Sequence, residues 1–233
     1  MTALVKAERP RTYHELMDTM LVDLPEHSSP DGALHVVKFD VDANSLENLM
    51  LAIKSPGRQC EPGTYTQLIR NGTLWMSDTT AERRDHMMAA MAIDGARSVT
   101  SSPAESVLIG GLGLGCILRV ALTSSAVRTV HVVELDQAVI DLVGPHYQAM
   151  AAELGVDLFI RQGDLLKAKW APNAWWDVAW FDIWAHLDPD NLEAMGKLNR
   201  SYARRAGWKG CWGQEIIKDE LRRGRRRRAR WGW

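Results

Sequence analysis

The chain has little cysteine, little phenylalanine and no long apolar run. Its three cysteines, Cys60, Cys116 and Cys211, are too few and too scattered for a disulfide framework or a thiolate metal cluster. They fit a reducing compartment, so a cytoplasmic location is expected. No stretch approaches the roughly 20 apolar residues of a membrane helix. The opening MTALVKAERPRTYHELMD is polar after its first five residues and holds no secretory-signal core, so no membrane contact is expected. Three phenylalanines against ten tryptophans mean that the aromatic part of any core is built mainly from indoles. No His, Cys, Asp or Glu spacing matches a metal ligand set, and no internal repeat is evident.

What is present is enough for a core: 233 residues with 46% hydrophobic content. A net charge of −1 hides an asymmetry. From Lys197 onward thirteen Lys/Arg stand against three acids, so this end carries +10 and the rest of the chain −11. The tail LRRGRRRRARWGW has the composition of an arm that makes weak contact with nucleic acid, because clustered arginines displace counterions from phosphates. It is equally a solvated terminus, or one that packs on an acidic partner subunit.

Four regions follow from pattern. Residues 1–30 form an N-terminal segment with a short helix near Tyr13 to Leu21. Residues 31–80 form a small β-rich unit, in which YTQLIR and TLWMSD flank Asn71-Gly72, a strong hairpin signal because both turn residues accept positive φ. SLENLMLAI reads as helix or strand. Thr79 and Glu82 are spaced as a capping box for a helix through ERRDHMMAAMAI. Residues 81–215 alternate short β-branched or aromatic strands (VLIG, TVHVVE, LFIRQG, DVAWFD) with helices. That alternation gives the fold class: α/β, Rossmann-like, a mostly parallel sheet with helices on both faces. WKGCWGQEII supplies one more strand, and residues 216–233 are the basic tail. So little chain remains after Trp212 that the sheet edge is expected to be incomplete or covered by a second copy, a homodimer.

GGLGLGC follows VLI and leads into a helix. Glycines in a strand-to-helix turn let a ligand approach the backbone. Gly111, Gly113 and Gly115 give GxGxG, and Cys116 occupies the position of the third glycine of the dinucleotide fingerprint. This favours a cofactor without a pyrophosphate, such as an adenosylsulfonium compound. Glu134 closes the next strand, where a carboxylate accepts both ribose hydroxyls. Asp164 closes the following one, where an adenine amino group would lie. Asp182 closes the fourth. The other reading is that the glycines only make a tight turn and the acids are solvated strand ends.

ESVLIGGLGLGCILRVAL, VRTVHVVELDQAVIDL, LFIRQGD and WDVAWFDIW resemble class I S-adenosylmethionine-dependent methyltransferases, in particular their spermidine-synthase-like (polyamine aminopropyltransferase) branch. The resemblance covers roughly residues 63 to 190 and includes the hairpin and helix of GTYTQLIRNGTLWMSDTTAERRDHM. It implies that Gly111, Gly113, Gly115, Glu134, Asp164 and Gln67 bind S-adenosylmethionine or its decarboxylated form. It also implies that Asp182 stands beside the reactive sulfonium, and that a homodimer is common. The departures matter. Leu114 replaces an aspartate of the glycine loop, Ala185 replaces the aspartate that orients the attacking amine, and no tyrosine accompanies His86.

These departures favour methyl transfer to a small-molecule substrate over aminopropyl transfer making a polyamine. A non-catalytic nucleoside- or nucleic-acid-binding protein is the third reading. Asp182 is a candidate catalytic base, raised in pKa by burial, and equally a cap or a cofactor ligand. Trp180, Trp184, Asp188 and His86 are candidate substrate residues. Alternation puts Trp180 on the face of Asp182, although strand-end aromatics more often belong to the core. His186 is a surface histidine or, less favoured, a general base.

Overall fold

The computed structural model describes residues 5–7, 9–42, 45, 48, 50, 53 and 59–231, with backbone alone from 225 onward. The N-terminal segment is tied down before the first strand begins. Ala7 N–H donates to the Thr123 carbonyl and the Lys6 ammonium to that of Val127. Arg11 forms a buried ion pair with Asp94 at 2.6 Å and donates to Thr123 Oγ1. Helix α1 (Tyr13–Thr19) then starts from a full capping box, Thr12 with Glu15.

Strands β1 (His27–Ser28), β2 (Leu34–Val41), β3 (Gly63–Arg70) and β4 (Thr73–Ser77) form an antiparallel sheet in that order. Asn71 and Gly72 take φ of 48° and 74°, the hairpin turn expected of them. SLENLMLAI lies largely outside the described residues. Asp78, fully buried, closes the unit by accepting the N–H groups of Val22 and Thr66. Helix α2 (Thr80–Ile93) follows with Thr79 as its N-cap, but the Thr79 side chain makes no cap hydrogen bond. Its hydroxyl is the acceptor of Ser77 Oγ instead, so the capping box read from the sequence at Thr79 and Glu82 is not formed as drawn.

The second sheet contains β5 (Ser106–Gly110), β6 (Thr129–Glu134), β7 (Asp157–Gln162), β8 (Trp176–Phe181) and β9 (Ala206–Cys211). All pairs are parallel and the order is β7-β6-β5-β8-β9. The fold is Rossmann-like. Val107, Leu108 and Ile109 are buried in succession, as a central strand covered on both faces requires. Helices α3 (Cys116–Thr123), α4 (Gln137–Leu154) and α5 (Asn191–Ser201) follow β5, β6 and β8. The connection from β7 to β8 holds only a 3₁₀ turn, Leu165–Lys167.

The final strand ends at Cys211, earlier than the WKGCWGQEII segment suggested. Gly213 (φ 71°) turns the chain, and QEII opens helix α6 (Gln214–Trp231). The basic tail is therefore helical and begins inside the folded unit, with Ile217 buried as its anchor. Among the described residues no helix is long and apolar enough to cross a membrane.

Candidate functional site

The carboxyl ends of β5, β6, β7 and β8 surround one cavity of about 870 Å³. This is where open α/β sheets bind ligands, because the strand order reverses there and the strand-to-helix loops part. The volume suits a nucleoside-sized molecule.

The glycine turn forms its floor. Gly111 has φ +90°, and a Cβ there would stand 1.9 Å from the Asp182 carbonyl oxygen. The turn and the end of β8 are thus in direct backbone contact, with Asp182 N–H donating to the Gly110 carbonyl at 2.7 Å. Gly113 lies against Met76 of the hairpin, whose sulfur accepts the Leu114 N–H at 3.1 Å. Gly115 serves packing. A Cβ there would sit 2.2 Å from the Tyr147 ring, and Tyr147 Oη donates to the Leu114 carbonyl.

Glu134 holds the turn from the next strand. Its Oε2 accepts the Leu112 N–H at 2.7 Å and its Oε1 the Asp136 N–H at 2.9 Å. Burial raises its pKa, and the backbone N–H groups of Leu112, Leu135 and Gly113 oppose that rise. Each carboxylate oxygen keeps acceptor capacity beyond one such bond, so two hydroxyls can still donate to it. Asp164 caps the 3₁₀ turn through the Leu166 N–H and pairs with Lys167, which holds its pKa low.

Asp182 is the perturbed group. Removal from water, then the nearby carboxylates Glu82, Glu134 and Asp85, push its pKa up to about 8. His86 Nε2 lies 3.7 Å from Asp182 Oδ2, and burial pushes the His86 pKa down to about 4. At neutral pH the pair is therefore a carboxylic acid beside a neutral imidazole. The buried His86 Nδ1 has no hydrogen-bond partner among the described residues.

The cavity brings together Gly111, Gly113, Glu134, Asp164, Asp182 and Trp184 from the residues read in the sequence. Others lie elsewhere. Gln67 is on β3, but its neighbours Leu68 and Arg70 line the cavity and Gln67 does not. Trp180 is buried, stacked on Trp208 and edge-on to His86. It shares its strand face with Asp182, but α2 covers that face, and Asp182 reaches the cavity because it lies one residue past the strand. His86 backs Asp182 without lining the cavity. Asp188 is exposed in the following loop, where it accepts the Asp190 N–H.

Sequence reasoning missed Arg70, Trp75, Met76 and Trp212. The Arg70 guanidinium lies 4.5 Å over the Trp75 ring and pairs with Asp136 at the cavity wall. Trp212 follows β9 as Asp182 follows β8, a placement the strand-end rule could have found. Its indole N–H is buried with no hydrogen-bond partner among the described residues.

The residues fit an adenosylsulfonium group at its ribose and backbone-facing parts: a Cβ-free turn and a strand-end carboxylate with spare acceptor capacity. Among the described residues the lining carries Glu82, Glu134, Asp136, Asp164 and Asp182 against one guanidinium, Arg70, already paired. The balance suits a cationic ligand.

No family model matches the sequence, and no curated protein does. Solved structures do match. The methyltransferase domain of bacterial CtHen1-C is 18% identical with a TM-score of 0.37, over 49% of this chain and 58% of that one. The plantazolicin methyltransferase BpumL in complex with SAH is 13% identical, TM-score 0.35, over 53% and 43%. A spermidine synthase in complex with the transition-state analogue AdoDATO is 18% identical, TM-score 0.35, over 71% and 46%. The chain spans about half the length of the solved chains it matches. The fold itself rests on the strand order and the glycine turn described above.

Proposed function

We propose that the chain is an S-adenosylmethionine-dependent transferase that moves a methyl group to a small-molecule nucleophile. The observation that carries this reading is the Gly111–Gly113 turn held against Glu134 at one end of the cavity, with Asp182 in backbone contact with the same turn. The bound cofactor supplies an electrophilic carbon on sulfur. The chain's own residues orient, exclude water and take a proton. Glu134 accepts the ribose hydroxyls, and the turn lets the cofactor lie against backbone. Trp184 and Trp212 wall the acceptor end, and Asp182, once ionised, takes the proton that the nucleophile loses. A cation beside Asp182 favours its ionised form and so restores the base.

The crowd of carboxylates favours a second reading, aminopropyl transfer from decarboxylated S-adenosylmethionine, since among the described residues no unpaired guanidinium lines the cavity to receive a cofactor carboxylate. Against it, Ala185 lines the cavity where the resembled family carries its amine-orienting aspartate. Calorimetry with the two cofactor forms separates the readings. We expect S-adenosylmethionine to bind at least as well as the decarboxylated form. A preference of about tenfold for the latter, about 1.4 kcal/mol, overturns methyl transfer, and binding of neither overturns the cofactor assignment.

Glu134→Gln tests the ribose site. Hydrogen bonds to a charged acceptor contribute about 1.5–3 kcal/mol. The variant is expected to bind S-adenosylhomocysteine roughly 10- to 100-fold more weakly in the same calorimetry, and unchanged affinity would remove Glu134 from the site.

A further inference from the structure

Beside the acidic cavity lies a second cleft, about 390 Å³, that shares Leu165 and Leu166 with it as a common wall. It exists because the β7–β8 connection is a 3₁₀ turn and loop. A crossover helix would have filled the space against α5; here Trp170 and Tyr202 cover it partly. Its charge is opposite to that of its neighbour. Lys169, Lys197 and Arg205 line it, with the Ser201 and Tyr202 hydroxyls, and among the described residues none that lines it is acidic.

These cations are set differently. Arg205 is fixed by donating to the Ala171 and Ala174 carbonyls at 2.8 and 3.3 Å. Lys169 is exposed. Lys197 pairs with Glu193, at side-chain exposures of 60% and 78%, a contact that solvent weakens greatly. At the rim the Arg161 guanidinium lies 3.8 Å over the Trp170 ring. Helix α5, which supplies Lys197 and Ser201, also packs against α6, and α6 carries seven arginines and one lysine against three acids.

We propose that this cleft holds the sugar-phosphate backbone of a single-stranded nucleic acid, with α6 extending the contact. A phosphodiester strand presents a charge at each residue, so a row of cations gains by counterion release. Arginine's planar fork suits phosphate oxygens better than lysine does. A duplex is too wide to enter the cleft. The site is independent of the cofactor reading, since it shares only a wall with that cavity.

The test is fluorescence anisotropy of labelled oligo-dT and oligo-U, about 20 nucleotides each, with the full-length protein between about 50 and 200 mM salt. We expect binding that falls steeply with salt. In the Lys169→Ala/Lys197→Ala double variant, affinity should fall about tenfold at low salt and the log–log slope should flatten by about 1.4, at about 0.7 for each phosphate that is no longer neutralised. Both lysines are largely exposed, so the fold should be unaffected, which circular dichroism checks. Binding identical in the double variant would place all contact on α6 and overturn the cleft. So would no binding at low salt. Tighter capture of inorganic phosphate or of poly-glutamate than of either oligonucleotide would overturn the nucleic-acid strand as occupant.

Discussion

Asp182→Asn is expected to lower turnover about 10²- to 10⁴-fold, the usual worth of a positioned general base, and at the same time to stabilise the ligand-free protein. The two effects have one cause. Burial and the carboxylates Glu82, Glu134 and Asp85 disfavour the ionised form of Asp182 and place its pKa at about 8. The folded chain therefore holds a proton that the unfolded chain releases at about pH 4. Stability is fully present below that value, falls as pH rises from about 4 to about 8, and is then flat. Asparagine does not titrate. The melting temperatures of variant and parent should be close near pH 4 and should separate in the variant's favour by pH 8, by about 2–4 °C for each kcal/mol. Turnover in the parent should rise with pH through the same window when measured as kcat/KM, which reports the free enzyme. Melting curves that stay parallel from pH 4 to 8 would show that Asp182 is ionised throughout. Full turnover in the variant would remove it as base.

The second large effect is expected of Gly111→Ala. The added methyl would meet the Asp182 carbonyl oxygen at 1.9 Å, and the φ of +90° is one that alanine rarely adopts. Neither partner yields easily, because Asp182 N–H is bonded back to the Gly110 carbonyl. A loss of about 3 kcal/mol or more is expected, a fall in melting temperature of about 6–12 °C for a chain of this size. Gly155→Ala is the comparison. It shares the positive φ (+63°) but has nothing within 4 Å of the new carbon, so only the backbone cost of about 1 kcal/mol should appear. Urea unfolding of the two variants measures the difference. Equal losses would show that the close approach between turn and β8 is not a constraint.

How much was legible follows from how local each signal is. Asn71-Gly72, the VLIGG turn and the strand-end acids Glu134 and Asp182 are set by a few adjacent residues, and they lie where pattern placed them. Trp180 is on the Asp182 face and in the core, the more frequent of the two readings for a strand-end aromatic; alternation gives a side chain's face but not what covers that face, and here α2 does. Gln67 was misplaced for a related reason: the cavity took the side of β3 that carries Leu68 and Arg70. The Arg11–Asp94 pair joins residues 83 positions apart and leaves no mark in either segment. The second cleft depends on a helix that the β7–β8 connection lacks, so its cations, drawn from the β7–β8 connection, α5 and the segment after α5, have no common sequence pattern.

Met76 and Arg70 belong to the antiparallel sheet, yet one touches the Leu114 amide and the other pairs with Asp136 across the cavity. The pocket therefore has walls from two distinct sheets, and the antiparallel one is also tied to helix α4 where the His27 ring nitrogen contacts the Leu142 carbonyl at 2.7 Å. Its width is then a matter of the angle between those sheets. A substitution outside the cavity, at His27, can retune that aperture while the glycine turn keeps its shape.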